Sequence, residues 1–327
     1  MSSLLKVHQL DQRMQFNPNI TTGYRPHMPV KEAFHTFFHL HNESFNMWSH
    51  AVAACFILYL MVFPPVEDLL EVNGKVVLRQ RVVPAEEANF LLSASPTVVF
   101  RSTCLMAFVA FVCSVAYHIL IPCGASRSVW VRLLSCDAIG TVLTTTGTAW
   151  SFLYRGNACA SLHTSHRVAV LLLLLSAAAL TAVLRCGSCS SPSARGKVMG
   201  FFSLPYLALV LWMEVPKAYT QGHCTAVNYH TLSWVFIALG TFVNASRFPE
   251  VQVCRITRCT ASKPEKRSDM KPKWWRWLIC CLLSSDEIDY AWNSHNIWHY
   301  CVILSVIAKL LGCRYDMVEF ELARCVT

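Results

Sequence analysis

Charge is scarce in this chain: Asp, Glu, Lys and Arg together supply 14% of its 327 residues, against about a quarter in ordinary soluble domains. Combined with 54% hydrophobic residues and a mean hydropathy of +0.39, that shortage excludes a typical soluble domain and points to an integral membrane protein. An apolar stretch after a basic start is also missing from the first forty-odd residues, so no cleavable leader is expected. No internal repeat is visible. No nucleic-acid-binding motif accompanies the net charge of +9, which therefore reads as loop charge facing anionic lipid, with no nucleic-acid partner. The weak alternation of a membrane β-barrel is absent too. Val168 to Leu184 is an almost unbroken run of Leu, Ala and Val, so the spanning elements are expected to be helices.

An apolar window of about 20 residues, enough to cross roughly 30 Å of hydrocarbon, finds seven candidate spans. They lie near 47–65, 97–121, 129–153, 167–185, 199–217, 228–246 and 291–312. Residues 1–46 and the second, fourth and sixth loops, with Arg132 and Arg185 at the adjoining span ends, hold 18 of the 28 Lys and Arg, nine of them between Arg247 and Arg276. Because positive loops stay in the cytosol, the expected fold is an all-α, seven-transmembrane bundle. Its N-terminus is expected to be cytosolic and its C-terminus extracellular or lumenal. The expected organisation is a cytosolic segment 1–46, a transmembrane domain 47–312 with a long cytosolic sixth loop at about 247–290, and a short outer tail 313–327. The host membrane, plasma membrane or an internal one such as ER or Golgi, is left open.

The sixteen cysteines do not form a disulfide framework, since most fall within spans or on the inferred cytosolic side. Cys186 and Cys189 make one Cys-x-x-Cys pair, but Cys254 and Cys259 do not supply a second pair at structural-zinc spacing. Cys280 and Cys281 read either as palmitoylation sites or as buried cysteines. Three glycosylation sequons, at Asn19, Asn42 and Asn244, fall on the cytosolic side or in a helix and are expected to remain unmodified. The acidic first loop, with Glu67, Asp68, Glu71, Glu86 and Glu87, is the natural surface for an external ligand. The basic, Trp-rich stretch 271–283 is too short to span; it reads as an in-plane segment or as a cap over the bundle.

Ionisable residues in such an apolar chain are functional candidates by default. Ser114 and His118 are four apart in the second expected span, and His295 and His299 are four apart at the start of the seventh. The inferred topology brings these histidines, and Asp137 of the third span, to a similar depth near the cytosolic side. Three histidines with a fourth position left open form a catalytic zinc pattern, whereas closed structural sites usually use four ligands including cysteine. The alternative is that each pair is a hydrogen-bonded interfacial histidine. Thr141, Thr144 and Thr148 follow Asp137 on one helix face, either lining a substrate cavity or bonding only their own backbone. His41, Glu43 and His50 stand near the mouth as supporting or structural residues.

Several pieces occur together in a fixed order: Gly23-Tyr24-Arg25-Pro26, His41-Asn42-Glu43 through Trp48-Ser49-His50, Ser114-x-x-x-His118, Cys136-Asp137-x-x-Gly140, Ser246-Arg247-Phe248-Pro249-Glu250 and Ser294-His295-x-x-Trp298-His299. As a set they resemble the progestin and adipoQ receptor family, which includes adiponectin receptors, membrane progestin receptors and hemolysin III-like proteins. The resemblance runs from about Gly23 to Gly312 and implies a seven-helix fold with a cytosolic N-terminus. It further implies zinc on His118, His295 and His299, with Asp137 and Ser114 beside the ion. Family members of the adiponectin-receptor type are associated with hydrolysis of the ceramide amide bond. The resemblance thus implies a membrane lipid as substrate, Asp137 positioning the attacking water and Ser114 bonding a ligand or the oxyanion. The rival expectation is a non-catalytic receptor or lipid-homeostasis sensor with a structural zinc. The chain departs from the family pattern by inserting roughly forty residues between Glu250 and the last span. Adiponectin or progestin binding is not carried over, and the oligomeric state is left open.

Overall fold

The computed structural model describes residues 3–10, 17–65, 71–72, 75–76, 96–124, 126–155, 162–186, 225–253 and 287–322, with single residues between 201 and 222. The fifth expected span lies largely outside the described residues. So do most of the acidic first loop, the sixth-loop segment 254–286, Cys189, Cys254, Cys259, Cys280, Cys281 and residues 323–327.

The principal helices are α1 (Val30–His35), α2 (Ser44–Val62), α3 (Pro96–Leu120), α4 (Arg127–Arg155), α5 (Leu162–Cys186), α6 (Thr225–Ser246) and α7 (Ser294–Leu322). The β structure among the described residues is one two-residue ladder, Glu71–Val72 against Lys75–Val76, and an isolated bridge between Leu5 and Tyr24. Four helices, α2, α3, α6 and α7, are long and apolar enough to cross a membrane. α4 and α5 coincide with the third and fourth expected spans. α4 carries Arg132, Asp137 and three consecutive threonines, and α5 carries a shorter apolar stretch among the described residues, Val170–Ala182. The described residues therefore establish an all-helical fold with four membrane-length helices. Past Gly312, α7 continues through residues 313–322 instead of ending there.

The chain divides into two compact units. The first comprises Met1–His50, Val115–Trp130 and Phe236–Ile303; the second comprises Ala51–Ser114, Val131–Val235 and Leu304–Thr327.

In the first unit the N-terminal segment straps down the start of α7. Thr21 and Thr22 give Asp289 their backbone N–H and side-chain hydroxyl groups, at 2.8 to 3.0 Å. Glu250 takes the Asn17 side-chain amide at 2.7 Å and the Ser294 N–H at 2.8 Å, and also accepts the Ser294 hydroxyl. Both carboxylates are almost fully buried, so these donors offset the cost of taking charge out of water. Gly23 makes the turn between the strap and Arg25. It has φ +84°, and a Cβ there would sit 3.0 Å from the Tyr290 ring and 3.2 Å from the Asn42 nitrogen. Beneath the strap, Met28, Ala33, Met47 and Ile119 form an apolar cluster with Phe37 and Trp48 against them.

In the second unit α3 and α4 come into backbone contact. A Cβ on Gly140 would lie 2.9 Å from the Ala110 Cα, so only glycine admits this approach. α6 and the end of α7 are joined by buried polar pairs. His230 meets Asp316 at 2.7 Å, Ser233 meets Ser305 at 2.8 Å, and the Ala226 N–H reaches Glu319 at 3.0 Å. Leaving any of these groups unpaired in an apolar interior would cost several kcal/mol, which explains why α7 extends far enough to bring Asp316 and Glu319 to α6.

Candidate metal centre

The site lies wholly within the first unit. α7 is entered through a π-helical turn, Ile288–Trp292, and capped by Asn293. The Asn293 side-chain oxygen accepts the backbone N–H groups of His295 (3.1 Å) and Asn296 (3.0 Å), while the Asn296 side chain reaches back to the Asn293 N–H at 3.2 Å. This reciprocal cap fixes the first turn. It thereby aims His295 and His299, one turn apart, at the same point. From α3 comes His118, whose turn is pinned from behind: the Arg25 guanidinium donates to the carbonyls of His118 (2.5 Å) and Ile119 (3.1 Å) at the helix C-terminus.

One ligand atom from each of His118, His295 and His299 can be chosen so that all three lie within 4.8 Å of one another. The ring centroids are 4.8 to 5.4 Å apart. His118 and His299 are buried and His295 is half-buried. His118 Nδ1 meets Glu43 Oε2 at 2.8 Å, and its Nε2 is buried with no hydrogen-bond partner. His299 Nδ1 is likewise buried without one. Two partnerless imidazole nitrogens in a triad that can bring one ligand atom from each ring within 4.8 Å of the others fit a divalent ion that accepts nitrogen ligands, such as zinc.

A directional chain of hydrogen bonds sets the tautomer. The Asn296 side-chain oxygen accepts the Asn293 N–H, so its amide nitrogen donates, at 2.7 Å, to the Asn46 oxygen. Asn46 must then donate its own amide hydrogen to Glu43, also at 2.7 Å. Glu43, an acceptor from Asn46, is an acceptor from His118 as well, which places the His118 proton on Nδ1 and leaves the Nε2 lone pair for an ion. Burial acts to raise the Glu43 carboxyl. The hydrogen bonds from His118 and Asn46 outweigh it and hold the group at about 2. His41 points elsewhere: its Nδ1 accepts the Glu43 N–H at 3.0 Å. His50 stacks on His299 at 3.9 Å between centroids and limits that ring's rotation. Glu43→Gln, which keeps the shape but not the charge, is expected to weaken zinc binding about 10- to 100-fold in a chelator competition. Unchanged affinity would remove Glu43 from the site.

The remaining expected residues fall in the second unit. Ser114 is buried. Asp137 is half-buried and within electrostatic reach of Cys113, which hydrogen-bonds to Cys136. Thr141 is exposed, and the Thr144 hydroxyl donates to its own helix at Gly140 O, 3.1 Å away. The Thr148 side chain lies outside the described residues.

Fold and site together define a multi-pass integral membrane protein carrying a histidine triad of metal-binding geometry. The sequence profile of the haemolysin-III related family matches residues 38–310, and the chain belongs to that family. It is similar to progestin and adipoQ receptor family member 3 of mouse and of human. Identity is 29% over 138 residues, covering 42% of this chain and 38% of each relative. The match thus spans well under half of those relatives. Member 4 of mouse is 23% identical over 305 residues, covering 93% of this chain and 90% of its own.

Proposed function

We propose that the protein is a zinc-dependent hydrolase of an amide lipid such as ceramide, with the ion held by His118, His295 and His299. The observation carrying this reading is the triad in which the His118 Nδ1 is already bound to Glu43 and its Nε2 has no partner. Zinc, when bound, supplies a Lewis acid that polarises a carbonyl and acidifies water. Glu43 keeps the His118 proton on Nδ1, and the Asn293 cap holds His295 and His299 in place. The family resemblance alone assigns Asp137 the role of positioning a water and Ser114 that of bonding a ligand or the oxyanion. Purified, metal-loaded protein should release fatty acid from ceramides; zinc without turnover on any amide lipid would sink the hydrolase.

A second reading is a lipid sensor or receptor with a structural zinc. The near-complete burial of His118 and His299 and the word receptor in the names of the similar proteins support it.

The proposed topology is seven spans with the N-terminus in the cytosol. In sealed vesicles, reagents should reach residues near Lys266 from the cytosolic face and the C-terminal tail only from the other. Access to both from one face would overturn the span count.

A further inference from the structure

The segment immediately before α2 is apolar on two faces. Ala33 and Phe37 point inward to Met28, Met47 and Ile119. On the outside stand Val30, Phe34 and Phe38, every fourth residue, followed by Leu40, with fractional exposures of 53%, 52%, 80% and 54%. Four large apolar side chains exposed within eleven residues would be costly in water. The segment is not free to turn and hide them. Trp48 Nε1 donates to the Phe37 carbonyl at 2.7 Å, and Arg25 donates to the Thr36 hydroxyl at 2.8 Å while holding the end of α3. Leu40 stands four residues before α2, which is long and apolar enough to cross a membrane, so the segment is tethered to within a few residues of a bilayer surface. Exposed Lys31, Glu32, His35 and His39 interleave with the apolar side chains, a mix of polar and apolar positions that suits a segment lying in the headgroup plane.

We propose that Val30, Phe34, Phe38 and Leu40 dock into the leaflet adjoining the start of α2, making residues 30–40 an in-plane anchor. This holds whether or not the triad binds zinc. If the hydrolase reading is right, it also places the bilayer surface beside the helix end that carries His118. The inference is tested on the full chain in nanodiscs of palmitoyl-oleoyl phosphatidylcholine, with a photoreactive phenylalanine analogue at position 38 or, as an inward-facing control, at 37. On irradiation, position 38 should give phosphatidylcholine adducts as its main product and position 37 cross-links within the chain. The proposal is overturned if position 38 yields chiefly cross-links within the chain, cross-links to a second copy, or solvent-quenched product. Zinc content, measured on the same samples, reports separately on the triad.

Discussion

With His295 and His299 both replaced by Ala, the purified protein is expected to carry no zinc above background, against about one ion per chain in the parent. Removing both α7 ligands leaves a single imidazole, His118, and one neutral nitrogen cannot hold zinc against water and competing cellular ligands. Loss should be steeper than for either single substitution, which leaves two ligands. Elemental analysis decides the matter: full occupancy in the double variant would show that the ion sits elsewhere.

The second large effect separates chemistry from metal holding. Asp137→Asn should keep most of the zinc, since all three histidines remain, yet lose lipid hydrolysis by roughly 10²-fold or more, the scale expected when an acid–base group is removed. If Asp137 instead orients a ligand, metal affinity should fall by about 10 to 100-fold and turnover should fall with occupancy. Measuring kcat per bound zinc distinguishes the two. A variant that retains zinc and hydrolyses ceramide at the parent rate would remove Asp137 from the mechanism.

How much of this could be read from the chain differs by residue. The histidines were legible because spacing of four on apolar helices is a local signal, and each pair needs only one helix to become a pair of neighbours. Helix positions were legible for the same reason, with offsets that have causes. α2 starts at Ser44, three residues earlier than the hydropathy window, because the Ser44 hydroxyl accepts the His41 N–H and donates to the His39 carbonyl. α7 runs past Gly312 because Asp316 and Glu319 have partners on α6. The relay from Asn293 through Asn296 and Asn46 to Glu43 was not legible. Its middle bond joins residues 250 positions apart, and an asparagine in a helix carries no mark of what it will face. Glu43 was placed only at the mouth of the site, although a lone acid beside an apolar span is a signal that it must find a partner. The strap carboxylates Glu250 and Asp289 were missed for the same long-range reason.

That strap has a consequence for how the molecule is made. Thr21 and Thr22 leave the ribosome early, but Asp289, which takes four hydrogen bonds from them, follows 267 and 268 residues later. At about 5 to 20 residues per second, the N-terminal segment waits roughly 15 to 50 s for its partner. For most of that interval Asn17 also lacks Glu250, and until α7 is made His118 lacks both of its histidines. The N-terminus and the ion site therefore close in the same late event, the arrival of α7. A chain stopped before residue 289 has neither.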